Sequence, residues 1–98
     1  MNDEFRLNVV FYKTHSGNEP VREWLKNLTR EEKKIIGEDI KIVQFGWPLG
    51  MPLIRKLESN LWEVRSHLKN RIARVLITIV ADNMVLLHGF IKKSQKNM

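Results

Sequence analysis

A small α+β domain, with two helices followed by antiparallel strands, is the fold class that three features of this sequence predict. An aromatic and β-branched segment opens the chain, two apolar periodicities of helical type follow, and the part beyond a Gly- and Pro-dense loop at residues 46–52 alternates with the period of two of extended chain. With 98 residues, 43% of them apolar and no cysteine, the chain has room for one domain, residues 1–98, whose stability rests on a small packed core.

Residues 5–12 carry Phe5, Leu7, Val9, Val10, Phe11 and Tyr12, and the turn-forming cluster Thr14-His15-Ser16-Gly17-Asn18 follows, so a first strand with its exit loop is expected there. Pro20 suits the first turn of a helix, where a missing N–H costs nothing, and Val21, Trp24, Leu25 and Leu28 recur on one helical face. Thr29 and Glu32 have the spacing of a capping box, which starts a second helix at residue 30. Its apolar line is Ile36, Ile40, Val43 and Trp47, and it should stop near Gly46 because Pro48 cannot continue it. The two helices are expected to form a hairpin. Residues 53–58 and 61–67 form one interrupted strand or two joined around Ser59-Asn60. Residues 71–80 are the clearest strand; Asp82-Asn83 turns the chain, and residues 84–91 return. The tail 92–98 is basic and expected to fray.

The charge is unevenly distributed. Residues 1–52 hold 8 basic and 8 acidic side chains, while residues 53–98 hold 9 and 3, so the whole net charge of +6 belongs to the strand-rich half. No apolar run approaches 18 residues and the start Met1-Asn2-Asp3-Glu4 lacks the features of a secretory signal, so a cytoplasmic chain without membrane association is expected. No cysteine means no thiolate chemistry, and His15, His67 and His88 stand isolated, which speaks against a metal site. Neither a phosphate-binding glycine loop nor a GxSxG elbow occurs, so no nucleotide or other cofactor is implied.

Basic groups and histidine remain. Projected with a period of two, Glu63, Arg65 and His67 share one face of their strand and His88 and Lys92 one face of the last. In the strand between, Ala73, Val75, Ile77 and Ile79 are the apolar side, so Arg74 and Thr78 leave through the other. Cations beside an imidazole are what cleavage of an RNA phosphodiester needs: positive charge on the non-bridging oxygens, and a side chain able to move a proton near neutral pH. Each element also has an ordinary reading. Arg55, Lys56, Lys69 and Arg71 are equally at home as solvated strand residues. His88, between Leu87 and Gly89, is equally placed to be a buried core histidine. Trp47, in the loop, is the one tryptophan positioned to stack on a base.

The motifs Leu61-Trp62-Glu63-Val64-Arg65, Arg74 opening a β-rich strand, and Leu87-His88-Gly89-Phe90-Ile91-Lys92-Lys93-Ser94-Gln95-Lys96, with Pro20-Val21-Arg22-Glu23-Trp24-Leu25 before them, resemble the phage-derived, HigB-like branch of the RelE/ParE toxin superfamily. The resemblance implies a compact β-α-α-β-β-β domain with a helical hairpin packed on an antiparallel sheet. It implies the toxin of a type II toxin–antitoxin pair, a ribosome-dependent, metal-independent mRNA endonuclease that stops translation. The implied partners are a helix-turn-helix antitoxin, the ribosome and its mRNA. Carried over residue by residue, Arg65 and Arg74 contact phosphate, Lys93 and Lys92 stabilise transition-state charge, and His88 moves a proton. Arg55, Lys56, Arg71, Lys92 and Lys96 are the further cations offered to RNA. The sequence departs from some ribonuclease members in having Leu61 and Glu63 where those carry lysines, and no tyrosine after Tyr12. A ParE-like poison of DNA gyrase and a catalytically inactive antitoxin or nucleic-acid-binding member are therefore the alternatives.

Overall fold

The computed structural model describes residues 7–48, 50 and 52–93. The elements run β1 (Asn8–Phe11), α1 (Pro20–Lys26), α2 (Arg30–Gly46), β2 (Ile54–Glu58), β3 (Leu61–Leu68), β4 (Arg71–Val80) and β5 (Asn83–Lys93). An α+β architecture with two helices against one sheet is the observed fold. Phe5 and Arg6 of the expected first strand lie outside the described residues.

Local signals account for most boundaries. Pro20 occupies the first turn of α1. At the start of α2 the capping box is complete: the Glu32 N–H donates to Thr29 Oγ1 at 3.1 Å and the Thr29 N–H donates to Glu32 Oε1 at 3.0 Å. Ser59-Asn60 separates two strands rather than interrupting one, because Asn60 takes a left-handed φ of 56° that a tight hairpin requires. Asn70 (φ 60°) does the same between β3 and β4. The last hairpin turns on Ala81 (φ 54°) and Asp82, one residue earlier than Asp82-Asn83 suggests, so Asn83 already belongs to β5. At its other end β5 continues through Lys92 and Lys93, which pair with Ile72 and Arg71, so these two residues are strand and not frayed tail.

The strand order is β1-β5-β4-β3-β2. Neighbours from β2 to β5 are antiparallel, but β1 runs parallel to β5, with Val9 beside Met84 and Phe11 beside Leu86. The sheet is thus mixed, not wholly antiparallel, and four strands follow the helices, as the two-strand reading of residues 53–67 has it, where the resemblance implies three. A parallel pair joins segments far apart in sequence and leaves no turn signal between them. The two consecutive helices pack on the sheet, α2 on β3 and α1 on β5 and β1.

Val21 of α1 and Ile36, Ile40 and Val43 of α2 meet Ile54, Val64, Val75, Ile77, Met84 and Leu86 in a core where each is buried. Trp24 lies against Gly89, where a Cβ would stand 2.3 Å from the ring, so glycine is what lets α1 approach β5. All of this packing is on one face of the sheet. Among the described residues no helix is long and apolar enough to cross a membrane.

Candidate nucleic-acid interface

Residues directly opposite each other in a sheet share a face. Trp62–Ile77, Val64–Val75 and Ser66–Ala73 are such pairs on the helix-covered side; Glu63–Leu76, Arg65–Arg74 and His67–Ile72 therefore belong to the helix-free side. The register of β5 shifts between Leu76–His88 and Ile77–Leu86, leaving Leu87 as the extra residue of a β-bulge. The bulge reverses the alternation. Met84 and Leu86, before it, are buried under the helices, whereas His88, Phe90 and Lys92, after it, stand on the helix-free face beside Arg74. His88 is exposed and stacks on Phe90, with ring centroids 5.7 Å apart and planes at 29°. It is not a core histidine.

The centre of this face is two guanidiniums in direct cross-strand opposition, Arg65 and Arg74. Like charges so placed repel. Glu63 offsets one of them: the Arg74 Nη1 donates to Glu63 Oε1 at 2.9 Å, in a pair whose side chains are only 13% and 6% exposed. Arg65 has no such partner; among the described residues none makes a side-chain hydrogen bond or ion pair with it. The Nε atoms of both arginines are buried without an acceptor. Without a carboxylate partner, the Arg65 guanidinium is the group of this cluster suited to meet an anion with several oxygens, such as a phosphodiester. Arg55, opposite Glu63, extends the positive edge, and Lys92, opposite Ile72, extends it along β5.

Register separates the other predicted cations from this cluster. Lys56 is opposite Trp62 on the helix-covered side, its Nζ 6.0 Å from that ring. Arg71 lies on the same side, and its guanidinium is ion-paired with Glu32 of α2, so it is engaged in holding the helix to the sheet. The backbone of Lys93 pairs with Arg71; its side chain, and Lys96 altogether, lie outside the described residues. Trp47 packs edge-on against Trp62, at 4.9 Å and 89°, and is not a free platform for a base. Among the described residues no group of His, Cys, Asp or Glu could hold a metal ion. Sequence reasoning put Glu63 on the right face but not in its role as partner to Arg74, because a diagonal cross-strand contact depends on register.

The family model described as Phage derived protein Gp49-like (DUF891) matches residues 23–97, about three quarters of the chain. The chain belongs to the Gp49-like phage-derived family. This is a RelE/toxin-like family, and the matched span contains β2 to β5 and with them the whole cationic cluster of this Gp49-like protein. Neither a curated protein nor a solved structure matches the chain.

Proposed function

We propose that this Gp49-like protein is the toxin of a type II toxin–antitoxin pair, of the HigB-like kind, and that it cleaves mRNA on the ribosome. The observation that carries the proposal is the position of Arg65, Arg74, His88 and Lys92 on one sheet face, opposite the helix-packed core, with the Arg65 guanidinium unpartnered. RNA cleavage by its own 2′-OH forms a 2′-O–P bond, breaks the P–O5′ bond and passes a proton at each end. Arg65 and Arg74 supply positive charge to the non-bridging oxygens as the phosphorus becomes five-coordinate. His88, exposed on the same face, moves one of the protons in this reading. Lys92 adds charge on the same strand. A helix-turn-helix antitoxin that covers this face with acidic side chains would neutralise the protein.

Primer extension on message from cells expressing the chain tests the proposal. New 5′ ends inside translated codons are expected, and their loss when translation initiation is blocked ties cutting to the ribosome. Intact message together with supercoiling or replication defects would overturn it in favour of a gyrase poison.

A further inference from the structure

A second polar cluster adjoins the cationic face. Beyond its pairing with β2, the free edge of β3 lets residues of the outer sheet face meet α2, and a cleft of about 300 Å³ there is lined by Ile35, Asp39, Pro52, Leu53, Arg65 and His67. Its volume is at the small end of ligand sites, and half of its lining is apolar. The polar half is a carboxylate, a guanidinium and an imidazole, and among the described residues not one of the three has a side-chain hydrogen-bond or ion-pair partner. Asp39 and Arg65 line the same cleft without pairing with each other. Groups of opposite character around an apolar floor suit a flat ligand that carries donors on one edge and acceptors on another.

We propose that this cleft holds a guanine base of the bound RNA, with Asp39 as the specificity-determining residue. A carboxylate is acceptor-only. Guanine is the base whose Watson–Crick edge presents two adjacent donors, N1–H and N2–H, to its two oxygens, while adenine, cytosine and uracil each present one. The acceptors O6 and N7 of guanine suit Arg65 and the donor nitrogen of His67. Ile35, Pro52 and Leu53 supply apolar contact for the ring faces, as RNA-binding sites do for splayed bases. Arg65 joins the two clusters, since it lines the cleft and also stands opposite Arg74. This inference rests on the RNA-binding part of the proposed function.

The test uses the full chain and four short single-stranded RNAs, 2′-O-methylated to block cleavage, that differ only in carrying G, A, C or U at the centre. Titration followed by tryptophan fluorescence or by amide resonances should give tighter binding of the G-containing RNA by about five- to hundred-fold, the range of one bidentate base contact. Asp39→Asn, which turns one acceptor into a donor, should bring that ratio close to one, and His67→Ala should lower it less. Thermal melting of both variants checks that they are folded. Equal binding of the four RNAs, no binding of any, or a guanine preference that survives in Asp39→Asn would overturn the proposal. Primer extension separates the two levels: cut message without guanine preference removes only the cleft assignment. Intact message with a guanine preference lost in Asp39→Asn removes the nuclease and leaves the cleft.

Discussion

Replacing Gly89 by alanine tests how the sheet face and the helix layer are coupled. An ideal Cβ at this position would lie 2.3, 2.5 and 2.7 Å from Cε3, Cζ3 and Cδ2 of Trp24. Carbon atoms rest at about 3.5–4.0 Å, so the indole, or α1 carrying it, must retreat by more than an ångström. With three ring atoms inside 3.0 Å, the cost falls in the upper part of the usual overpacking range, about 2–3 kcal/mol. Against it stands the relief of glycine's backbone entropy, about 0.5–1 kcal/mol, which leaves a net loss of about 1–2.5 kcal/mol. For a domain of this size each kcal/mol moves Tm by about 4–8 °C, so thermal unfolding followed by circular dichroism should show Gly89→Ala melting about 4–20 °C lower. The cause is specific to Trp24. In a Trp24→Leu background, which removes the ring atoms that clash, the same change should be neutral or slightly stabilising. A Tm unchanged by Gly89→Ala, or an equal penalty in both backgrounds, would refute the account of why glycine stands there.

Further expectations follow from other side chains. Glu63→Ala leaves Arg74 buried and opposite Arg65 with nothing between them; breaking a buried pair costs about 3–5 kcal/mol, and urea unfolding should show most of it recovered in the double variant Glu63→Leu/Arg74→Leu. Thr29→Ala removes the hydroxyl that accepts from Glu32 N–H and should cost about 1 kcal/mol in the same assay. His88→Ala should leave stability almost unchanged, since the imidazole is exposed, while lowering message cleavage in cells about 10²-fold or more, the usual size of a proton-transfer contribution. Near-normal cleavage by the folded variant would remove His88 from the mechanism. Arg74→Ala should flatten the salt dependence of RNA binding by about 0.7 in log–log slope, because one phosphate fewer is neutralised on a single strand, and an unaltered slope would make Arg74 purely structural.

Much of the fold was legible because its signals are local. Pro20, the Thr29–Glu32 box, the 3.6-residue line Ile36, Ile40 and Val43, and the asparagine turns each act within a few residues of themselves. The alternation of β3 and β4 likewise placed Arg65 and Arg74 on one face before any pairing was known. Less was legible about the partners. Glu32 reaches across to Arg71, and Asp39 joins Arg65 and His67 around a cleft. The sequence around Glu32 marks it as a capping residue and not as a partner of Arg71, and nothing around Asp39 distinguishes it from other acids on a solvated helix.

By itself, then, the sequence determined the class of the domain, its order of elements, and the concentration of positive charge in the strands that follow the central loop. Tertiary structure decided which of those charges work together. Simple alternation would put His88 on the same side as Met84 and Leu86, in the core. One extra residue, Leu87, slips the register between them and turns the imidazole out beside Arg74. A bulge is the outcome of competition between two strands for backbone hydrogen bonds and for burial under the helices, and that competition exists only once the strands have met.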